Sequence, residues 1–354
     1  MERELSAACS AYRSLFHKKQ GAKKMKIKWH AHLPGIAAND SELPLGKQKP
    51  IDQGYLTKLR FDEWFKLDGA FPYSSLKYEK SQPIFYVGEA EAPNNVETMF
   101  SQVTKLVNRI HKAFLLSHIC PLLPPPAMSA TYITIENEDE NVNPVIRLIG
   151  PAEREWIVYG SLPINCWLDE SNVSEARSNL EILRTFNPDE SFYGVEAGLQ
   201  VLTLTSLPEF WWSQRELNRV NDFIHCMAAL ENILVPRKDE APPKMIITRT
   251  FGRNLALILV PTREDVERAT KFYSILYRLR CKLIHGEMGI KDLNNNEYDL
   301  LGLGRKLLGG VLVRTMRMKR TMAKGKSLPN LLALAYADPQ VYESLFNLDR
   351  RYPS

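Results

Sequence analysis

The period of the apolar residues changes near residue 210, and this change limits the folds open to the chain. Upstream, runs rich in β-branched and aromatic side chains at 83–87, 130–135, 145–149 and 155–159 are separated by Pro, Gly and Asn, the pattern of short strands. Asn141-Val142-Asn143-Pro144 predicts a hairpin connection between the second and third runs. The spacing of Met99, Val103, Val107, Ile110, Phe114 and Leu115 predicts a helix over 94–119, and a second helix is expected over 175–185. Leu122-Leu123-Pro124-Pro125-Pro126 separates the two, because proline lacks the amide donor a helix needs.

Downstream of about 213 the pattern is helical. A helix is predicted over 215–234, with Leu217, Val220, Ile224, Met227, Leu230 and Leu234 along one stripe and Pro236 closing it. Further helices are expected over 253–259, from a Thr262 cap to about His285, over 297–321, and over 331–346 with an interruption at Asp338-Pro339. The acids Glu264 and Asp265 fall in the first turn of the third, where the helix dipole favours them. The expected fold class is therefore α+β. A mixed domain over 1–210, read as sensing or regulatory, precedes an all-α bundle with a helical extension over 211–354.

A chain of 354 residues has room for two or three domains, and 44% hydrophobic with 25% charged residues is ordinary globular composition. No uncharged apolar run reaches the length of about 18 residues that a membrane span needs, so no membrane partner is expected. The start, Met1-Glu2-Arg3-Glu4, lacks the apolar core of a secretory signal. The five cysteines (Cys9, Cys120, Cys166, Cys226, Cys281) form neither a CxxC pair nor a Cys/His cluster of zinc-ligand spacing. A reduced, cytoplasmic protein without metal or cofactor is the expectation. His30 and His32, near Asp40, Glu42 and Asp52, show no recognised metal spacing, and Gly302-Leu303-Gly304 follows no strand as a phosphate loop would.

The net charge of +5 is mild, and its distribution is more informative. Lys18, Lys19, Lys23, Lys24, Lys26 and Lys28 lie in a stretch without an acid. So do Arg305, Lys306, Arg314, Arg317, Lys319, Arg320, Lys324 and Lys326. Two basic segments on a near-balanced chain suit either a polyanion held at particular places or solvated surface. Phe210, Trp211 and Trp212 could stack on bases, though adjacent aromatics at a domain junction more often pack between domains.

The chemistry concentrates in Tyr277-Arg278-Leu279-Arg280-Cys281-Lys282-Leu283-Ile284-His285-Gly286-Glu287. A histidine moves protons near neutral pH, and a guanidinium neutralises a phosphate. With Leu276 as origin and about 100° per residue, Phe272, Leu279 and Leu283 mark the buried stripe and Arg280 sits about 40° away, at its edge. A guanidinium held there needs a partner, and Glu231, on the apolar-flanked segment Ala228-Ala229-Leu230-Glu231-Asn232-Ile233, is the one expected. On an ideal helix His285 falls about 140° from Arg280, so the two meet only if the helix ends early or two chains share a site. Gly286 favours an early end. The same residues also fit a plain Arg/Glu pair and a histidine at a helix C-terminus.

The tract Arg280-Cys281-Lys282-Leu283-Ile284-His285-Gly286 resembles the Arg-x4–6-His motif of HEPN domains. With Phe223-Ile224-His225-Cys226-Met227-Ala228-Ala229-Leu230-Glu231-Asn232-Ile233-Leu234, it is similar to the ApeA-like HEPN branch over about 213–325. The resemblance implies a four- to five-helix bundle that forms a homodimer or higher homo-oligomer. It also implies a metal-independent endoribonuclease used as a toxin or anti-phage effector, with RNA as substrate and a phage-derived trigger as a further partner. Carried over, Arg280 would neutralise the scissile phosphate and His285 would act as general base or acid, with Glu231, Cys281, Arg278 and Lys282 in support. Arg314, Arg317 and Arg320 would contact the RNA backbone. Active members often carry Asn, Asp or His after the motif arginine; this chain has Cys281, a poorer hydrogen-bond partner. A non-catalytic dimerisation or nucleotide- or RNA-binding module is the alternative.

Overall fold

In Met25–His32 (β1), polar and apolar residues alternate, so Ile27, Trp29 and Ala31 turn inward while Lys26 and Lys28 face outward. Trp29 is fully buried because its ring lies over Gly88 of the neighbouring strand Ile84–Ala92, where a Cβ would stand 2.1 Å from the indole. The computed structural model describes residues 25–33, 36–59, 84–92, 96–117, 131–136, 145–148, 166–186, 194–204, 215–237, 239, 241, 245–260, 262–318 and 327–346. These fall into two units, one drawn from 1–108 and 126–162, the other from 109–125 and 163–354. This division follows contact, whereas the change near 210 follows composition. The chain is a mixed α+β protein.

The first unit holds β1, Ile36–Ala38 (β2), Gln48–Ile51 (β3), Gly54–Lys58 (β4), Ile84–Ala92 (β5), Thr131–Glu136 (β6) and Val145–Leu148 (β7). Six of these form an antiparallel sheet in the order β3-β4-β5-β1-β6-β7. Strands β5, β6 and β7 correspond to three of the four expected runs; 155–159, like the Leu-Leu-Pro-Pro-Pro linker and Phe210-Trp211-Trp212, lies outside the described residues. The tight β3–β4 hairpin turns at Asp52, which takes φ 53°. Across the sheet, Glu89 stands 3.6 Å from the Lys26 ammonium and 3.9 Å from that of Lys28. The part of the N-terminal basic run that the structure describes is thus partly neutralised by a neighbouring strand. Asp40 binds the buried Lys58 at 2.8 Å and Glu42 binds Lys49 at 3.5 Å, so two of the acids near His30 are committed to lysines. No group of three or more His, Cys, Asp or Glu among the described residues could hold a metal.

Helix Val96–Leu115 (α1) carries the expected stripe, with Val103, Val107, Ile110 and Phe114 buried. The division between the units falls within α1, after Asn108. The second unit then holds Cys166–Leu168 (β8), Glu170–Thr185 (α2), Val195–Leu204 (α3), Arg215–Leu234 (α4), Ile247–Leu259 (α5), Val266–Ile284 (α6), Asn295–Leu301 (α7), Leu303–Met318 (α8), Leu328–Ala337 (α9) and Pro339–Phe346 (α10). Helix α2 begins earlier than its period suggests because the Asp169 carboxylate caps it, accepting from the Asn172 amide at 2.8 Å. The predicted 297–321 helix is two helices, broken at Gly302. No helix among the described residues is long and apolar enough to cross a membrane.

Helix α4 is central and packs against α3, α5, α6, α8 and α9. Its Val220, Phe223, Met227, Leu230 and Leu234 are buried. At its C-terminus the Asn254 side chain donates to the Leu234 carbonyl at 2.7 Å, satisfying a group the helix end leaves open. The tightest approach is between α5 and α6. A Cβ on Gly252 would stand 2.4 Å from Ser274 Oγ and 2.7 Å from the Thr270 carbonyl. This contact turns the Thr270–Ser274 face of α6 inward, with Val266, Leu276, Tyr277 and Leu279. Phe272, expected on the buried stripe, is 41% exposed as a result. Thr262 does not cap α6: a 3-10 turn over Arg263–Asp265 intervenes and the threonine hydroxyl donates to Asp265.

Two consequences can be measured. Gly252→Ala forces α5 and α6 apart and is expected to lower stability by about 1–3 kcal/mol in urea denaturation, the usual cost of overpacking. In the sheet, burial and then the Lys28 charge push His30 from the usual 6.5 to about 4. The facing strands set Val87 and Tyr132 opposite it, and Glu89 opposite Lys28. A base that is neutral when folded but protonated when unfolded costs stability as acid is added. Stability is expected to fall between pH 6.5 and about 4, and His30→Gln should flatten the ΔG–pH slope in that window.

Candidate nucleotide and RNA site

A wide arc of α6 faces inward, and Arg280 lies near its middle rather than at its edge. Its Nη2 stands 3.1 Å from Glu231 Oε2 on α4, and the side chains are 18% and 25% exposed. The other carboxylate oxygen accepts a 2.9 Å hydrogen bond from the Tyr277 hydroxyl. The guanidinium carbon lies 5.6 Å from the centre of the Tyr277 ring, which packs against Phe251 at 4.9 Å. One carboxylate therefore holds two groups on α6, a turn apart, against α4. Burial above all, then the bond to Glu231, pushes the Tyr277 hydroxyl well above its usual pKa, so it stays a donor. Arg280 keeps unused donors: its Nε is buried and makes no hydrogen bond.

Helix α6 ends one residue before His285. The His285 amide still bonds to the Cys281 carbonyl at 2.9 Å, Gly286 takes φ 71°, and the Glu287 amide reaches back to the Lys282 carbonyl at 3.0 Å. This is a Schellman ending, which demands a left-handed residue at Gly286. The helix stays regular to Ile284, so His285 lies about 140° round from Arg280, as an ideal helix requires. Its side chain is exposed and stands outside the Arg280–Glu231–Tyr277 cluster. Arg278 and Lys282 are exposed on the same side as His285, and Arg278 Nε donates to the Ser274 carbonyl at 3.4 Å. Cys281 is a half-buried free thiol.

The arginines of α8 turn inward. Arg314 donates to the Ile258 carbonyl at 2.6 Å, capping α5, and Arg317 reaches Ser178 on α2 at 3.4 Å. Arg320 lies outside the described residues. The structure thus brings together Arg280, Glu231 and Tyr277, and separately Arg278, Lys282 and His285. Tyr277 is the member of the cluster not picked out by charge; the signal for it is its place one turn before Arg280, on the face turned to Glu231. Comparison of the chain with family models, curated proteins and solved structures finds no match.

The pair's energetic coupling is testable. Glu231→Gln is expected to cost about 1–2 kcal/mol, less than the 3–5 kcal/mol of a fully buried pair because solvent reaches both groups. Arg280→Met combined with Glu231→Gln should return to within about 1 kcal/mol of wild type. Strictly additive losses in urea denaturation would show that the two groups do not depend on one another.

Proposed function

We propose that the chain is a HEPN-type endoribonuclease of the ApeA-like branch, a cytoplasmic anti-phage or toxin effector that works as a homodimer or higher homo-oligomer. The sheet unit would sense a phage-derived trigger. The observation that carries this reading is the end of α6, where a guanidinium held in place by Glu231 and Tyr277 and an accessible imidazole lie five residues apart, with Arg278 and Lys282 exposed beside the imidazole. In the proposed reaction the 2'-hydroxyl attacks its own phosphorus and His285 takes its proton. His285 passes that proton on to the 5'-oxygen of the next nucleotide as it leaves, and Arg280 stabilises charge on the non-bridging oxygens. The products are a 2',3'-cyclic phosphate and a 5'-hydroxyl.

One observation favours a second reading, a HEPN bundle that binds RNA or nucleotides or serves dimerisation without cleaving. Within one chain Arg280 is engaged by Glu231, and His285 points from another side of the helix. The ribonuclease reading needs the second copy to bring its own motif into reach.

Full-length protein incubated with total RNA in EDTA should generate ends that polynucleotide kinase labels without prior dephosphorylation, as 5'-hydroxyls are. His285→Ala, an exposed change with little effect on folding, should reduce cleavage by at least about 100-fold, the typical contribution of a general acid or base. Cleavage by His285→Ala at the wild-type rate removes the catalytic assignment. RNA retained in a gel shift but never cut by wild type favours the binding module.

A further inference from the structure

Arg305, in the first turn of α8, is 7% exposed, and its Nε, Nη1 and Nη2 all lack a hydrogen-bond partner. A guanidinium has five donors and keeps its charge at neutral pH, so leaving every nitrogen unmet inside a folded unit is costly. Native proteins rarely tolerate such a group without a reason. Burial lowers its pKa from the ordinary arginine value, while Cys226 and Asp222 of α4 favour the charged form through space.

The surroundings have the composition of an anion site. A helical side chain leans toward its own N-terminus, which carries the Arg305 head toward Gly302 and the flank of α4. On that flank Arg219, Asp222 and Cys226 form one stripe, spaced three and four residues apart. The Arg219 guanidinium lies over the Tyr298 ring at 4.7 Å, and its Nη2 is 3.7 Å from where a Cβ on Gly302 would be. This stripe lies about 140° round α4 from Glu231, so the two sites use different faces of the same helix.

We propose that Arg305 and Arg219, with Asp222, bind a protonated phosphate group, either inorganic phosphate or the terminal group of a phosphomonoester. The two guanidiniums supply forked donors that match tetrahedral oxygens. The carboxylate selects among tetrahedral anions. Monohydrogen phosphate carries an O–H at neutral pH, and a phosphomonoester carries one in its monoanion, populated up to its second pKa of about 6. That O–H can donate to Asp222, whereas sulfate carries none and meets only repulsion. The proposal is independent of RNA cleavage at Arg280 and His285.

The test uses the full chain at constant ionic strength and about pH 6, where a large fraction of AMP still carries its second phosphate proton. Titration calorimetry and thermal melting would be run with inorganic phosphate, with AMP, and with sulfate. Phosphate or AMP is expected to bind and raise Tm, and sulfate at least about tenfold more weakly. AMP binding tighter than phosphate identifies a phosphomonoester as the ligand; the reverse identifies free phosphate. Arg305→Met should abolish binding while melting no lower than wild type without ligand, because an unpaired buried charge has been removed. Should Arg305→Met fail to fold, Arg219→Gln, at a half-buried position, should weaken Kd at least about tenfold. Asp222→Asn should narrow the gap between phosphate and sulfate. RNA cleavage by Arg305→Met at the wild-type rate would separate this site from the one on α6. The proposal is overturned if wild type binds neither phosphate nor AMP, if sulfate binds equally well, or if the arginine variants bind as wild type does.

Discussion

Gly252 has no side chain, and the backbones of α5 and α6 use that room to meet at Thr270 and Ser274. The contact fixes how far α6 is turned about its own axis. Once it is fixed, Tyr277 and Arg280 must face α4, and the arc bearing Arg268, Lys271, Ile275, Arg278 and Lys282 must face out. A helix rotated by one residue's worth, about 100°, would expose the guanidinium and bury lysines. The bond of Glu231 to both groups follows from this rotation and then reinforces it, since α4 is the helix on which the rest of the unit packs.

That geometry redistributes the basic charge that the sequence places in two runs. Arg314 and Arg317 each place one donor inside the bundle, on a helix C-terminus and a serine, and Lys26 and Lys28 share Glu89. Among the described residues, the outer face of α6 offers cations to a polyanion: Lys271, Arg278 and Lys282 flank Ile275, itself 49% exposed. Cations beside an exposed aliphatic side chain suit a surface that meets both a phosphate chain and a second protein. A HEPN-type nuclease needs both from the helix that carries its motif, so the proposed function draws support from this face as well as from Arg280.

Much of this is legible in the amino-acid sequence, and the exceptions have physical causes. Strands rich in Ile, Val and Phe, such as β5, declared themselves; β3, with Gln48, Lys49 and Pro50, did not, because an edge strand need not be apolar and can hold a proline. The start of α5 was hidden by Gly252, a poor helix former kept for its size rather than its propensity. Glu231 as the partner of Arg280 followed from one apolar-flanked carboxylate facing one inward arginine. Phe272 misled because a single angular origin at Leu276 ignores where the neighbouring helix is thinnest. Arg305 looked like one cation in a surface run; only packing against α4 shows it to be buried.

The clamp on Arg280 also bears on entropy. A free arginine gives up about 2 kcal/mol of rotamer freedom when it is immobilised. Here the loss is incurred during folding, against Glu231 and the Tyr277 ring. An anion arriving at the exposed edge of this guanidinium meets a group already at rest, so even a weak, brief encounter can find it correctly aimed.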